Sequence, residues 1–516
     1  MIIINSGAYV PPELQTEFGA IPPCMLPLAN RKLIEHQARA LAAAFPERTI
    51  LVSLPGQYAM TVHETELLER LGVSVIRTPE HFSLCAALVY ILSVTESGDD
   101  GVRILRGDTL FDDFPKELDL VSVAPSPEDG YKREKERAAS TGELVWTGFF
   151  SFSSAKSLIR CLALAKDSFT DAVRAYGREH PLHFAPAGQW FDLGRVNTYF
   201  RSRAALTTQR AFNTLSVKAN VVTKTGTPPE KIEAEASWFR QAPARLRKYL
   251  PQLIAHGHEA GRPYYQLEYL PLSPLNELFV HGRNPASFWE YAFDLVKSFF
   301  VDAGGGAPDE AAVFQAARKL YADKTWQRLG LFTQAEGLDA ARPLYYAGEQ
   351  LPPLRDICED CLQKTLNLPC APGVLHGDLC LSNILIDLRA GKIKVIDPRG
   401  LDNDGTQTIY GDQKYDLAKL AHSCIGLYDF IISGYYQLGA DEPYHYDLRF
   451  VLDERLAAVQ AGFWEKRFIP QCSVAEIMPL TVLLFLSMLP LHNEDRRKQR
   501  AFFANALRLY RAHVLA

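Results

Sequence analysis

Between Leu375 and Pro398 the chain spells out a loop, a strand, a tight turn and a returning strand, with three polar residues at fixed places along that path. The loop is Leu375-His376-Gly377-Asp378-Leu379-Cys380-Leu381-Ser382-Asn383, after which Ile384-Leu385-Ile386 and Lys394-Val395-Ile396-Asp397-Pro398 flank a turn at Ala390-Gly391. The two apolar runs read as hairpin strands. That hairpin returns Asp397 beside Asn383, which itself follows Asp378 by five residues. Phosphoryl transfer from ATP requires a carboxylate to orient the attacking hydroxyl and accept its proton, and oxygen ligands to hold magnesium against the phosphates. Asp378 suits the first task; Asn383 and Asp397 suit the second.

The series His-Gly-Asp-x-x-x-x-Asn, then Ile-Asp-Pro, resembles the aminoglycoside phosphotransferase and choline kinase family of protein-kinase-like small-molecule kinases. The resemblance implies a bilobal protein-kinase-like domain over residues 207–516, with an N-lobe over about 207–272 and a C-lobe over about 273–516. It also implies ATP and Mg2+ as cofactors, Asp378 as catalytic base, and Asn383 and Asp397 as magnesium ligands. In the same pattern Asp416, within Lys414-Tyr415-Asp416-Leu417-Ala418-Lys419-Leu420, is a buried brace for the catalytic loop. Lys224 closes the strand Val221-Val222-Thr223-Lys224. As the family's strand lysine it would touch the α- and β-phosphates, held by a helix glutamate. Glu235 is preferred to Glu233 as that partner, because its spacing to Trp238 and Phe239 puts it on the apolar helix face. Leu267-Glu268-Tyr269-Leu270 would be the hinge, with backbone groups of Glu268 and Leu270 pairing with adenine. No glycine-rich loop precedes Lys224; Asn213-Thr214-Leu215-Ser216 stands there instead.

The acceptor implied is a small sugar, polyol or amino alcohol. The polar segments 398–405 and His492-Asn493-Glu494-Asp495 lie where the family builds its substrate wall, although loop and helix-cap chemistry accounts for the same residues. A choline-type cation would need an aromatic box. Tyr410, Tyr415, Tyr428, Tyr435 and Tyr436 are available for one, but helix-spaced aromatics also read as core.

Before about residue 206 the pattern is different. Short β-branched runs at 2–5, 49–53, 73–77 and 101–105 alternate with helical stretches at 32–44, 62–71 and 84–94. Such alternation predicts an α/β unit with a mostly parallel sheet covered by helices. After it come a strand-rich patch at 212–225, a helix at 231–242, a strand at 264–269 and long helices, an α+β order.

Three fragments of the first region are Met25-Leu26-Pro27-Leu28-Ala29-Asn30-Arg31-Lys32-Leu33-Ile34-Glu35-His36-Gln37, Leu105-Arg106-Gly107-Asp108-Thr109-Leu110 and Trp190-Phe191-Asp192-Leu193-Gly194. Together they resemble the sugar-phosphate and choline-phosphate nucleotidyltransferases, which implies a Rossmann-like nucleotidyltransferase domain over residues 1–206. There Asp108 and Asp192 would bind magnesium near the phosphates of CTP, another nucleoside triphosphate or a nucleotide sugar. Trp146-Thr147-Gly148-Phe149-Phe150-Ser151-Phe152 would be the acceptor-binding strand. The catalytic loop departs from the family. Ser6-Gly7-Ala8-Tyr9-Val10-Pro11-Pro12-Glu13-Leu14 has one glycine, no arginine and an added acid, and Pro22-Pro23 occupies the place of the family's Pro-Lys. Those missing cations neutralise charge as pyrophosphate leaves. The unit therefore either activates the phosphorylated product, binds a sugar phosphate or nucleotide sugar, or scaffolds the kinase. A kinase and a nucleotidyltransferase fold in one chain suit consecutive steps of capsule or surface-glycan precursor synthesis.

At 516 residues the chain is too long for one ordinary core. A net charge of -5 gives no reason to expect nucleic acid. The cluster Arg496, Arg497, Lys498, Arg500 reads as a solvated helix face. The most apolar segment, 478–491, has 14 residues and two prolines, short of the roughly 20 that span a bilayer. The opening Met1-Ile2-Ile3-Ile4-Asn5 is too short and uncharged for a signal peptide. Of nine cysteines only Cys358 and Cys361 form a CxxC, inside a helical stretch at 354–366, so a metal site is not expected and a reducing cytoplasm is.

Overall fold

The computed structural model describes residues 1–95, 101–125, 135–138, 142–206, 213–439 and 442–515. Phe212, and with it the first residues of the expected kinase domain, 207–212, lie outside the described residues. The chain divides into two compact units. One is Met1–Leu206 joined by His281–Arg283; the other is Thr207–Val280 with Asn284–Ala516.

The first unit is built on a mixed sheet. Its central strand, Ile2–Asn5, opens with three fully buried isoleucines, and it pairs in parallel with Ile50–Pro55 and with Val102–Arg106. Val73–Thr78 extends the parallel part beyond Ile50–Pro55. On the other side Gly142–Phe152 runs antiparallel, between Val102–Arg106 and Leu120–Pro125. A register shift between Trp146 and Phe150 accommodates Gly148 at φ +99°, a conformation suited to glycine. Trp146, Phe150 and Phe152 pack into a buried cluster with Leu88, Leu158 and Tyr176 from the covering helices. Burial of each such large side chain contributes about 1.5–3 kcal/mol. The strand expected to hold an acceptor is thus core, because a central strand covered on both faces has no aromatic side chain to spare for a ligand.

A buried ion cluster ties this unit together. Thr61 and Glu64 form a reciprocal cap on the helix Val62–Arg70. The same Glu64 carboxylate takes Lys32 at 2.8 Å and Arg283 at 2.8 Å. Burial would raise the Glu64 carboxyl, but the two cations hold it down at about 2.

In the second unit four antiparallel strands come in the order Asn213–Lys218, Val221–Gly226, Arg262–Glu268, Leu253–Glu259. Ala219 and Asn220, both at positive φ, make the two-residue turn that the first hairpin needs. The helix Pro229–Gln241 packs on this sheet and buries Ile232, Glu235, Trp238 and Phe239. The rest is mainly helical, around a hairpin of Ile384–Asp387 and Lys392–Val395. Helix Val474–Met488 packs against both Lys414–Cys424 and Arg496–His513. The apolar stretch is longer than the sequence pattern marks. Val474–His492 has 19 residues with mean hydropathy 2.0, long and apolar enough to cross a membrane by those criteria, and 72% of its apolar window is buried within the fold. Asp495 caps the last helix by accepting from the Lys498 N–H, and Arg496, Arg497 and Arg500 lie on its exposed face.

Candidate active site

The loop carrying Asp378 is fixed through its backbone N–H groups, which donate to a buried carboxylate. His376 N–H and Gly377 N–H donate to the two oxygens of Asp416 at 2.7 and 2.8 Å. Burial pushes the Asp416 carboxyl up to about 7, against the pull of these donors. Gly377 sits at φ +79°, and a Cβ there would meet the Arg399 Cβ at 2.6 Å, so the close turn requires glycine. Burial holds the His376 imidazole down at about 4, and it is therefore neutral at pH 7. Its Nε2 donates to the Ile396 carbonyl at 3.0 Å, which leaves Nδ1 to accept from Asp378 N–H at 3.3 Å.

Asp378 and Asn383 meet. The Asn383 amide nitrogen donates to the Asp378 carbonyl at 2.9 Å and to Asp378 Oδ2 at 3.1 Å. Any metal ligation by Asn383 therefore falls to Oδ1, a hard oxygen donor of the kind Mg2+ takes. Lys419 Nζ lies 3.0 Å from the other carboxylate oxygen, Asp378 Oδ1. Burial would lower this ammonium, but the Asp378 carboxylate overrides it and leaves Lys419 raised.

The hairpin delivers Asp397 at φ +57°, a strained backbone for a non-glycine residue and a common one at functional sites. Its Oδ1 is 3.0 Å from Lys224 Nζ, and Lys224 is also 2.6 Å from Glu235 Oε2. Burial pulls the Lys224 ammonium down, yet the Asp397 and Glu235 carboxylates more than offset it, so it stays charged. Tyr265 O–H donates to the same Glu235 oxygen at 2.7 Å. Glu233 instead contacts His258 at 3.0 Å on an exposed face. Two further links join the Glu235 helix to this region. Trp238 Nε1 donates to the Leu375 carbonyl at 2.8 Å, and Gly400 is so close that a Cβ would lie 2.3 Å from the Ala234 carbonyl.

Glu268 spends its carboxylate on Gln252 N–H at 2.9 Å and its own N–H on the Gln252 carbonyl at 3.0 Å. The Leu270 carbonyl accepts from Leu272 N–H at 2.8 Å. Three of the five tyrosines are taken up by separate ring contacts: Tyr415 stacks on Tyr321, Tyr428 on Phe502, and Tyr435 lies edge-on to Phe430; the Arg497 guanidinium lies over the Tyr436 ring. Cys358 and Cys361 are buried free thiols.

In the first unit Asp108 and Asp192 are brought side by side. Asp192 pairs with Thr109 across two short strands, and Leu193 N–H donates to the Asp108 carbonyl at 2.9 Å. Gly107, just before Asp108, has room for no side chain, since a Cβ would lie 2.7 Å from Ser6. The loop beginning at Ser6 is itself closely packed. Ser6 Oγ accepts from Cys24 N–H at 3.0 Å, and a Cβ on Gly7 would meet Thr78 Oγ1 at 2.4 Å. Among the described residues no group of three or more His, Cys, Asp and Glu side chains gathers, so a metal in either unit would rest on a carboxylate pair or on the Asn383–Asp397 set.

Sequence reasoning passed over Lys419, Tyr265, Lys324 and Arg328. Lys419 carried the one usable signal, its place three residues after Asp416 on the brace helix. Lys324 Nζ reaches the Tyr415 hydroxyl at 3.4 Å, a contact between helices 91 residues apart that no local pattern announces.

Residues 213–429 match the model of the phosphotransferase enzyme family. No curated protein matches the chain. Among solved structures, one of aminoglycoside phosphotransferase APH(4)-Ia in ternary complex with ADP and hygromycin B is 12% identical, covering 59% of this chain and 95% of that one, with a TM-score of 0.36. A nucleoside-diphosphate-sugar pyrophosphorylase from Vibrio cholerae RC9 is 15% identical over 39% of this chain and 99% of its own, with a TM-score of 0.33. The inositol-1-phosphate CTP transferase from T. maritima is 12% identical over 41% and 97%, with a TM-score of 0.30. The second unit thus contains the stretch that matches the phosphotransferase enzyme family model, and the first is the part similar to the pyrophosphorylase and the CTP transferase.

Proposed function

We propose that the second unit is an ATP-dependent kinase of a small alcohol, with Asp378 as the base that takes the proton of the attacking hydroxyl. The observation that carries this reading is the pairing of Asn383 with Asp378, next to a Lys224–Asp397 contact, on a loop held by Asp416. Lys224 binds the α- and β-phosphates and Glu235 keeps it in place. Backbone groups around Glu268 and Leu270 hold adenine. Asn383 Oδ1 and the Asp397 carboxylate would hold Mg2+, which neutralises phosphate charge when bound. The acceptor is a sugar, polyol or amino alcohol, and the setting is capsule or surface-glycan precursor synthesis. Nine cysteines without a disulfide suit a reducing compartment. The test is ADP release over a panel of such alcohols. Turnover that disappears in Asp378→Asn supports the reading, and none with any acceptor would end it.

For the first unit two readings stand. In one, Asp108 and Asp192 bind a metal–nucleoside triphosphate and the unit activates the phosphorylated product. In the other it only binds a ligand or scaffolds its neighbour. The packed, cation-poor loop at Ser6 and Gly7 favours the second. Pyrophosphate release with any nucleoside triphosphate and phosphorylated product would decide for the first.

A further inference from the structure

Two helices and one loop bring four cations to the region of Asp378. The helix Asp323–Glu336 supplies Lys324 and Arg328, four residues apart and so on one face. The helix Lys414–Cys424 supplies Tyr415 and Lys419 with the same spacing. Arg399 comes from the turn after Asp397 and packs on Gly377, next to Asp378. Lys324 Nζ lies 3.4 Å from the Tyr415 hydroxyl and 5.7 Å from its ring centre. Lys419 is bound to Asp378 at 3.0 Å.

Among the described residues the other three cations have neutral partners. Arg328 donates to the Ser487 carbonyl and Arg399 to the Asp402 carbonyl. Among the described residues, Asp378 is the one carboxylate that forms an ion pair with this group. Burial and the neighbouring Arg399, Arg328 and Lys419 lower Lys324 to about 8. Burial would raise the Tyr415 hydroxyl, yet Lys324, Lys419 and Arg399 bring it down to about 8. Half-buried like charges without counter-ions are costly, and such groups mark places where a ligand supplies the missing charge.

We infer that the acceptor taken at Asp378 is an anionic alcohol, a phosphate monoester or carboxylate bearing the hydroxyl to be phosphorylated, with Lys324, Arg328 and Arg399 gripping its anionic group. The inference rests on the reading of Asp378 as the base. The hydroxyl proton passes to the Asp378 carboxylate, the alcohol oxygen bonds to the γ-phosphorus, and the bond to the β–γ bridging oxygen breaks as ADP leaves. A polycationic or quaternary-ammonium acceptor would instead face three uncompensated positive charges.

The test uses the full chain with ATP and magnesium and matched acceptor sets. One set is glycerol, glycerol 3-phosphate, glycerate and choline; the other is glucose, glucose 6-phosphate, glucuronate and glucosamine. The anionic members are expected to exceed the neutral and cationic ones in kcat/KM by about tenfold or more. Comparison of phosphate with carboxylate members identifies the anion. The double variant Lys324→Met, Arg328→Gln should raise the acceptor KM by a similar factor while leaving the KM for ATP unmoved, and Lys324→Arg should retain the preference. Preference for neutral or cationic alcohols, or an anionic preference that survives the double variant, overturns the inference and leaves the kinase reading intact. Should no acceptor turn over, the kinase reading fails. Calorimetric binding of the same anions with a non-hydrolysable ATP analogue then decides the anion site by itself: binding lost in the double variant upholds the grip by Lys324 and Arg328, and no binding overturns it.

Discussion

The Lys419 ammonium and the Asn383 amide grip opposite oxygens of one carboxylate, that of Asp378, at 3.0 and 3.1 Å. Held from both sides, the carboxylate has a single orientation to offer a hydroxyl. Removing the carboxylate in Asp378→Asn is expected to lower turnover by about 10²–10⁴-fold, the usual contribution of a general base. Lys419→Met keeps the base but frees its orientation, and a smaller loss, about tenfold or more, is expected. Steady-state ADP release with unchanged ATP binding checks both.

Lys224 sits between two acids, Glu235 and Asp397. Glu235→Gln removes one of them and weakens the positioning of the ammonium, so the KM for ATP should rise more than kcat falls. With Lys224 in its proposed role on the α- and β-phosphates, Lys224→Met should cost about 10²–10³-fold in kcat/KM. Equilibrium nucleotide binding by both variants separates affinity from turnover.

Burial pushes Asp429 up to about 7 from its usual 3.8, with the Asn276 amide 3.4 Å away as a partner. Between about pH 4 and pH 7 the folded protein keeps a proton that the unfolded chain has released, so this group costs stability as pH rises through that window. Each pH step of one across it costs about 1.4 kcal/mol. Asp429→Asn abolishes the titration. The melting temperature of the variant relative to the unsubstituted protein should therefore be higher near pH 7.5 than near pH 4.5. Equal differences at both values would show that Asp429 does not titrate in this range.

Asp108 belongs to the unit that has its own sheet and core. Asp108→Ala is expected to leave ADP release unchanged and to abolish any pyrophosphate release the protein supports. The two products, measured in parallel on one preparation, give the comparison.

The part of the kinase-like domain written in consecutive residues was legible. The loop at Asp378, the hairpin and the helix Leu354–Leu366 follow from local apolar runs and turn residues. The strand Leu253–Glu259 escaped notice because its residues alternate at a half-exposed sheet edge and include Gly257 and two histidines. The opposite error fell on Trp146–Phe152, whose aromatic run resembles a binding strand but occupies a position covered on both faces. The cation cluster was illegible for a different reason. Lys324, Arg328, Arg399 and Lys419 come from three distant stretches, and each alone reads as an ordinary surface residue.

The helix Pro229–Gln241 is moored to the Asp378 loop by the Trp238 indole and has the backbone of Gly400 wedged against it. Protein kinases of regulated type gate their output by letting the corresponding helix swing and part its glutamate from the strand lysine. Here such a swing would have to break an indole–carbonyl bond and a tight backbone contact together. Glu235 is thereby held against Lys224 by a helix anchored at three points along its length.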